Sequence, residues 1–179
     1  MSRNTGRIAL CGVLAGFSVL VMLLSAIDIG MTYALPMVAG AILIVPVIEF
    51  GKGTAVMTYA AVALLSMILP ANKESALMYA FLFGLYPILK SFIDRIKNNP
   101  LRLAVKFVYF NAAALAAIGL AAWLFQIPVD DGSLGRYGVY ILLALGNVAF
   151  IIYDVALSRW VGLYLLKVQP LLRKTFHIK

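Results

Sequence analysis

Six long apolar runs, separated by five short polar breaks, dominate the pattern of hydrophobic and polar positions along the chain. The runs extend over residues 8–27, 31–48, 54–69, 76–92, 101–125 and 137–165. Crossing a bilayer takes about 20 apolar residues, more than a soluble core helix presents without interruption. The pattern therefore predicts an all-α polytopic membrane protein, a single compact bundle of six transmembrane helices over residues 1–179 with a basic tail at 166–179.

The positive charges divide unequally between the two sides of this pattern. Lys and Arg near a span are retained on the cytoplasmic side, so their distribution predicts orientation. With the N-terminus inside, only Lys73 and Arg136 fall on the outer side. The remaining thirteen fall inside: Arg3, Arg7, Lys52, Lys90, Arg95, Lys97, Arg102, Lys106, Arg159, Lys167, Arg173, Lys174 and Lys179. We expect a multi-pass protein of the plasma membrane with both termini in the cytoplasm.

Composition supports the membrane prediction and narrows the partners. At 64% apolar residues, the chain has too few polar residues to coat a soluble globule. A net charge of +8 is compatible with nucleic acid, but the charges cluster where cytoplasmic loops meet anionic headgroups. The expected partner is therefore the lipid bilayer, with no nucleic acid. The single cysteine, Cys11, excludes an internal disulfide.

Small residues are regularly spaced in the first span. Gly12 and Gly16 are four positions apart, as are Cys11 and Ala15. This spacing lets a second helix approach closely, which favours helix association in lipid. Two interpretations stand, packing within the same bundle and contact with another membrane protein.

Local signals predict three further features. Pro36 and Pro46 predict a kinked second span, and Ser75 is a candidate cap for the fourth. Apolar and charged residues alternate after that span, with Lys90 and Asp94 as an i,i+4 pair. An amphipathic helix is therefore expected to continue to residues 98–100. It would lie on the membrane surface, or dock a partner through Arg95 and Lys97.

Polar residues within the apolar runs are the best pointers to function, because each must be satisfied away from lipid. Tyr140, Asn147 and Asp154 follow one another at intervals of seven, and Asn111 lies near the middle of span five. They form hydrogen bonds between helices, or they contact a substrate or coupling ion. For Asp154, near the inner interface, we expect an ion pair with a basic residue, Arg159 or Lys106.

A second set of candidates lies at the outer side, where aromatic rings with scattered polar groups suit a small organic ligand. The alternative is an aromatic belt at the membrane interface, which needs no ligand. The residues are Asp28, Thr32, Tyr33, Asn72, Lys73, Glu74, Tyr79, Trp123, Gln126, Asp130, Asp131, Arg136, Tyr137 and Tyr140.

Signatures of an enzyme are absent from the sequence. It has no zinc-binding His-Glu-x-x-His, no Gly-x-Ser-x-Gly and no phosphate-binding loop. Its only histidine, His177, lies in the tail, which excludes a metal site built from a Cys/His cluster. We expect no catalytic residue, no metal and no cofactor.

The length, the six spans and the opening segment Arg7-Ile-Ala-Leu-Cys-Gly-Val-Leu-Ala-Gly16 resemble the substrate-binding S component of energy-coupling factor (ECF) vitamin transporters. The resemblance implies that Ala9, Gly12, Val13 and Gly16 face a membrane coupling protein. It also implies a ligand bound from outside. The residues implied for the ligand are Tyr79, Tyr140, Asn147 and the 130–136 loop.

Together these features predict a small-molecule, vitamin-like binding and uptake subunit that works with separate ATPase subunits. The assigned substrate residues are Tyr79, Asn111, Tyr140, Asn147, Asp130, Asp131 and Arg136. The assigned partner residues are Ala9, Gly12, Val13, Gly16, Arg95 and Lys97. Two alternatives remain, a non-transporting membrane scaffold or assembly protein, and a stand-alone secondary transporter or lipid-handling protein.

Overall fold

The computed structural model describes residues 3–25, 31–69, 72–125 and 138–170, and these residues are helical with no strand among them. Four stretches are long and apolar enough to cross a bilayer, judged by length and composition. They are Gly6–Leu24, Lys73–Ile93, Asn99–Trp123 and Tyr140–Val168. Two shorter apolar stretches, Ala34–Glu49 and Lys52–Ile68, lie between the first two. The all-helical, membrane-compatible fold is therefore confirmed.

The helices follow the predicted runs closely. They are α1 (Arg3–Leu24), α2 (Ala34–Ile42), α3 (Ile44–Glu49), α4 (Lys52–Ile68), α5 (Lys73–Met78), α6 (Tyr86–Ile93), α7 (Asn99–Phe125) and α8 (Gly138–Leu163). A π-helical turn, Tyr79–Phe83, joins α5 to α6, and a second one, Tyr164–Val168, extends α8. The α5–α6 stretch is the most deeply buried of the four long ones, and the other helices pack around it.

The predicted kink in the second run is confirmed between α2 and α3. The helix breaks at Leu43, three residues before Pro46. Proline has no N–H, so the carbonyl of Ile42 loses its partner four residues ahead. Gly51, with a φ of 83°, then makes the turn into α4 in a conformation that favours glycine.

Two local predictions are wrong. Asn72, not Ser75, caps α5, because its side-chain oxygen accepts the backbone N–H groups of Glu74 and Ser75 at 3.0 and 3.4 Å. The amphipathic helix is also missing, since α6 ends at Ile93 and turns lead into α7. Asp94 bonds to Lys106 of α7, which requires the chain to reverse direction directly after α6.

Two clusters of buried side chains form the core. One joins the π turn and α6 to α7 and α8, with Tyr86, Phe110 and Phe150 near its centre. The other joins α1, α2 and α4 around Met22 and Val62. The central helix contributes Tyr79 to the second cluster and Phe83 to the first, so it connects them.

Tyrosine hydroxyls stabilise the irregular backbone of the central helix. Tyr59 donates to the carbonyl of Ala80 at 2.6 Å. Tyr109 donates to Phe81 and Leu82 at 2.7 and 3.1 Å, and Tyr153 to Phe83 at 3.2 Å. Pro87 lacks the N–H that would bond the Phe83 carbonyl in a regular helix. Four successive carbonyls are thus bonded by hydroxyls from α4, α7 and α8, as buried backbone requires.

The close approach of α2 to the π turn gives a first prediction. A Cβ on Gly40 would collide with the carbonyl of Phe83 and stand 2.7 Å from the Tyr153 hydroxyl. Gly40→Ala should therefore lower the free energy of unfolding by about 1–3 kcal/mol. Gly119→Ala is the control, because among the described residues its Cβ would meet nothing within 4 Å. Detergent unfolding curves of both variants test this, and equal stability of the two would contradict the packing described.

Candidate functional site: a ring of alternating charges

Four charged side chains form a closed ring where α6, α7 and α8 meet. Lys90 contacts Asp94 at 3.1 Å, and Lys106 contacts Asp94 and Asp154 at 2.9 Å each. Lys90 also bonds Asp154, which closes the ring. Each lysine therefore lies between two carboxylates and each carboxylate between two lysines. We call these four residues the charge ring.

Helical spacing places the ring residues. Lys90 and Asp94 are one turn apart at the end of α6, Lys106 lies in the second turn of α7, and Asp154 lies in the second half of α8. The predicted Lys90–Asp94 pair and the predicted Lys106 partner of Asp154 are confirmed. Sequence reasoning missed Lys90 as the second partner of Asp154, because 64 residues separate them and no local pattern connects them. The contacts of Asp154 do not include Arg159, the other predicted partner, within the described chain.

Burial makes the ring sensitive to the loss of any member. The two lysine side chains are 8% exposed, Asp154 is 20% exposed and Asp94 is 40% exposed. Charges removed from water are tolerated only when they are paired and hydrogen-bonded. The four charges sum to zero, so the ring satisfies both lysines and both carboxylates at once. Asp94, which follows the last residue of α6, is the most exposed member of the ring.

Tyr86 connects the ring to the aromatic core. Its buried hydroxyl donates to Asp154 at 2.6 Å, a contact the sequence analysis did not anticipate. Its ring stacks on Tyr109 with centroids 5.8 Å apart and meets the edge of Phe150 at 4.8 Å. Asp154 thus has two lysines and one phenol as partners, and the rings behind Tyr86 shield this side of the charge ring from solvent.

The pKa of Asp94 reflects two opposing effects. Partial burial alone would raise the pKa, but the hydrogen bonds from Lys106 and Lys90 outweigh it. The net result is a pKa below the ordinary value of 3.8. Asp94 is therefore ionised at neutral pH and keeps both lysines paired.

A small cleft of about 170 Å³ lies beside the ring between α3, α6 and α8. Its polar lining is Lys90, Ser91 and Asp94, and the rest is apolar. At the base of α8, Tyr164 donates to Glu49 of α3 at 3.1 Å. The cleft is too small for a drug-sized ligand, so the ring region is better suited to holding helix ends together than to enclosing a substrate.

Asn111 and Asn147, both assigned to substrate, lie together between α7 and α8. Each side-chain amide donates to the other's oxygen at 3.1 Å. The amides also donate to the carbonyls of Phe107 and Leu143 in their own helices, at 2.9 and 2.7 Å. Of the two interpretations, these contacts match the hydrogen bond between helices, and they occupy both amide groups.

The other assigned substrate residues do not join this pair. Tyr79 is 0% exposed, stacks on Tyr59, and its hydroxyl has no partner in the described chain. Tyr140 is 70% exposed and lies on the outside of α8. Asp130, Asp131 and Arg136 fall outside the described residues. Their substrate role stays a prediction.

The small-residue face of α1 points out of the bundle. Ala9, Gly12 and Gly16 are exposed, and Val13 is 69% exposed. Within the described chain, a Cβ on Gly12 or Gly16 would meet nothing within 4 Å. Of the two interpretations, packing inside the same bundle therefore does not apply to Gly12 and Gly16 in the described residues, whereas it does apply to Ala15, which packs against the cluster of α1, α2 and α4. The remaining assigned partner residues, Arg95 and Lys97, are exposed in the turns between α6 and α7.

A shallow groove of about 450 Å³ lies between α2 and α8. Nearly all of its lining atoms are apolar, and Trp160 stands at one end. Among the described residues, no three His, Cys, Asp or Glu side chains converge as metal ligands would.

Comparisons of the chain with protein-family profiles, with curated proteins and with solved structures find no match.

The ring gives a prediction on stability. Asp154→Asn leaves the two buried lysines with one shared carboxylate, Asp94, so one positive charge is uncompensated and stability should fall by about 3 kcal/mol. Adding Lys106→Met to this variant removes the excess charge, so the double variant should lose less than the sum of the single losses. Unfolding in graded detergent mixtures measures this coupling. Strictly additive losses would show that the two side chains do not interact.

The pKa of Asp94 gives a prediction on pH. Because folding lowers this pKa, the stabilisation by Asp94 is present above about pH 3.8 and is lost as the pH falls through the lowered value. Asp94→Asn should therefore be less stable than the parent at neutral pH, with the difference closing below about pH 4. Unfolding midpoints of both proteins across this range test the sign. A difference that stays constant in acid would contradict it.

Proposed function

We propose that this protein is a membrane-embedded subunit that binds a small organic molecule and takes it up with a separate ATP-hydrolysing module. The observation that supports it is the small-residue face of α1, directed away from its own bundle. Small residues at four-residue spacing permit close helix–helix approach in lipid. A membrane coupling protein is the partner that this face suits.

The attachment of α1 supports a docking role. The Arg7 guanidinium donates to the Phe50 carbonyl at 3.1 Å and to the Thr54 hydroxyl at 3.3 Å. On the opposite face, Met22 packs in the cluster shared with α2 and α4. These contacts fix the rotation of α1, so the small residues stay directed outward and a partner need not reorient them.

The proposed arrangement has six spans across the plasma membrane, with both termini on the cytoplasmic side. It rests on the placement of Lys and Arg and on the two shorter apolar stretches, which are Ala34–Glu49, counted across the break at Leu43, and the continuous helix Lys52–Ile68. In this orientation the charge ring lies at the cytoplasmic end. It holds α6, α7 and α8 together there, while ligand enters from the opposite end.

The proposed ligand site is at the outer end, where Tyr140 and the 130–136 segment would contact the ligand. Tyr79 and the Asn111–Asn147 pair, which are buried or bonded between helices, would support this site from within the bundle. The outer end is the better location because aromatic packing and the charge ring already fill the inner half of the bundle. A vitamin-like molecule, largely apolar with a few polar groups, is the class that such a lining suits.

Leucine substitutions on α1 test the proposal. Gly12→Leu with Gly16→Leu should abolish capture of a coupling protein and its ATPase subunits, because the side chains prevent close approach. The bundle should keep its stability, since no described residue packs against Gly12 or Gly16. The matched control is Gly119→Leu on α7, also an exposed glycine whose Cβ would meet no described residue within 4 Å.

The measurement is a mild-detergent pull-down from the native membrane with mass spectrometry, followed by uptake with the recovered partners. Recovery with the control variant but not with the α1 variant supports the proposal. Equal recovery would remove α1 as the docking face. Transport by the chain alone in liposomes would favour a stand-alone carrier, and loss of partners only on charge reversal of Arg95 and Lys97 would favour a scaffold.

A further inference from the structure

Three serine hydroxyls outside the charge ring are buried without hydrogen bonds. Ser18, Ser66 and Ser75 are 0%, 1% and 0% exposed, and their hydroxyl oxygens have no partner within the described chain. Serine or threonine inside an apolar helix usually bonds a carbonyl of its own helix. Thr58 does so at 3.0 Å and Ser25 at 2.6 Å, so the three serines differ from their neighbours.

The register of α4 against α5 places two of these serines at the same level of the bundle. The helices run antiparallel, with Lys73 bonded to the carbonyl of Leu69 at one end and Tyr59 bonded to Ala80 at the other. If residue 69 lies opposite residue 73, an antiparallel register places Ser66 opposite residue 76. If residue 59 lies opposite residue 80, the same register places Ser66 opposite residue 73. Ser75 lies between these limits, so it is level with Ser66.

The register of α1 against α4 adds the third serine. These helices run parallel, and the bond from Arg7 to Thr54 joins residues 47 positions apart. The same spacing relates Ala15 to Val62 and Met22 to Leu69, which share one core cluster. It places Ser18 level with position 65, beside Ser66. One hydroxyl from each of three helices therefore lies at the same depth of the bundle.

We infer that ordered water occupies a buried site between α1, α4 and α5, hydrogen-bonded to Ser18, Ser66 and Ser75. Each hydroxyl offers one donor and two acceptor positions and no charge. A buried water typically makes about three hydrogen bonds to polar groups that would otherwise be unsatisfied. The alternative, three unpaired hydroxyls in an apolar interior, carries the full cost of desolvation.

The neighbouring charges disfavour a metal cation at the same place. The ammonium of Lys73 donates to the carbonyls of Met67 and Leu69 at 2.5 and 3.2 Å, directly beside Ser66. A second positive charge there would be repelled. The carboxylate of Glu74 accepts from Tyr33 at 2.5 Å on the exposed side. Water, which is neutral and both donates and accepts, is the ligand that fits. This inference is independent of the proposed function.

X-ray radiolysis of the full-length protein in ¹⁸O-water, which splits bulk and bound water into hydroxyl radicals, tests the site. Met22 is one helical turn from Ser18 and 0% exposed, so bulk radicals cannot reach it. Water at the site would generate radicals beside it, and we expect ¹⁸O in its sulfoxide. An unlabelled Met22, in a sample where the 75% exposed Met57 is labelled, would overturn the inference.

The thermal midpoint of a serine variant provides a second readout. The direction of its shift distinguishes a hydrated site from hydroxyls that are unpaired and dry. Ser66→Ala should lower the thermal midpoint and reduce Met22 labelling, because the water loses a partner. Removal of a hydroxyl that was unpaired and dry would instead raise the midpoint, and this result would overturn the inference. Thr58→Val is the matched control on the same helix, since its hydroxyl bonds within α4. It should leave Met22 labelling unchanged.

Discussion

The alternation of charge among Lys90, Asp94, Lys106 and Asp154 constrains one end of the bundle. Each charge is unfavourable out of water by itself, so the ring is tolerated only as a complete set. For all four contacts of the ring to form, the last turn of α6, the second turn of α7 and the second half of α8 must meet at one point. The chain must therefore reverse within residues 94–98. This explains why the segment forms turns although its sequence is amphipathic.

The central helix depends on a related constraint, the satisfaction of buried backbone groups. The π-helical turn and Pro87 disturb its hydrogen-bond ladder at a depth where water is excluded. Tyr59, Tyr109 and Tyr153 each donate to carbonyls of this turn. These phenols belong to α4, α7 and α8. The hydrogen bonds that satisfy the carbonyls of the central helix therefore also fix the positions of these three helices. In this bundle tyrosine has a structural role that an aromatic belt at the membrane surface does not explain.

Hydropathy predicts where the long apolar helices lie, because lipid compatibility acts on long runs of residues and tolerates local irregularity, but it does not predict that α6 ends at Ile93. Helix spacing similarly predicted the Lys90–Asp94 pair. Contacts between distant segments were mostly beyond the sequence. Nothing near Asp154 indicates Lys90, and nothing near Tyr79 indicates that its ring is fully buried. Asn111 and Asn147 were found by the rarity of amides in apolar runs, but rarity does not distinguish a helix-to-helix bond from a ligand contact.

The bundle is asymmetric in how strongly its parts are joined. On the α6–α8 side, the charge ring, the paired amides and the stacked rings add directional contacts to apolar packing. On the α1 side, apart from the Arg7 bonds, apolar packing predominates. Apolar contacts are non-directional and tolerate small sliding better than hydrogen bonds do. We therefore expect small displacements of α1 to disturb the bundle less than equal displacements of α6, α7 or α8, because those three helices are joined by the charge ring.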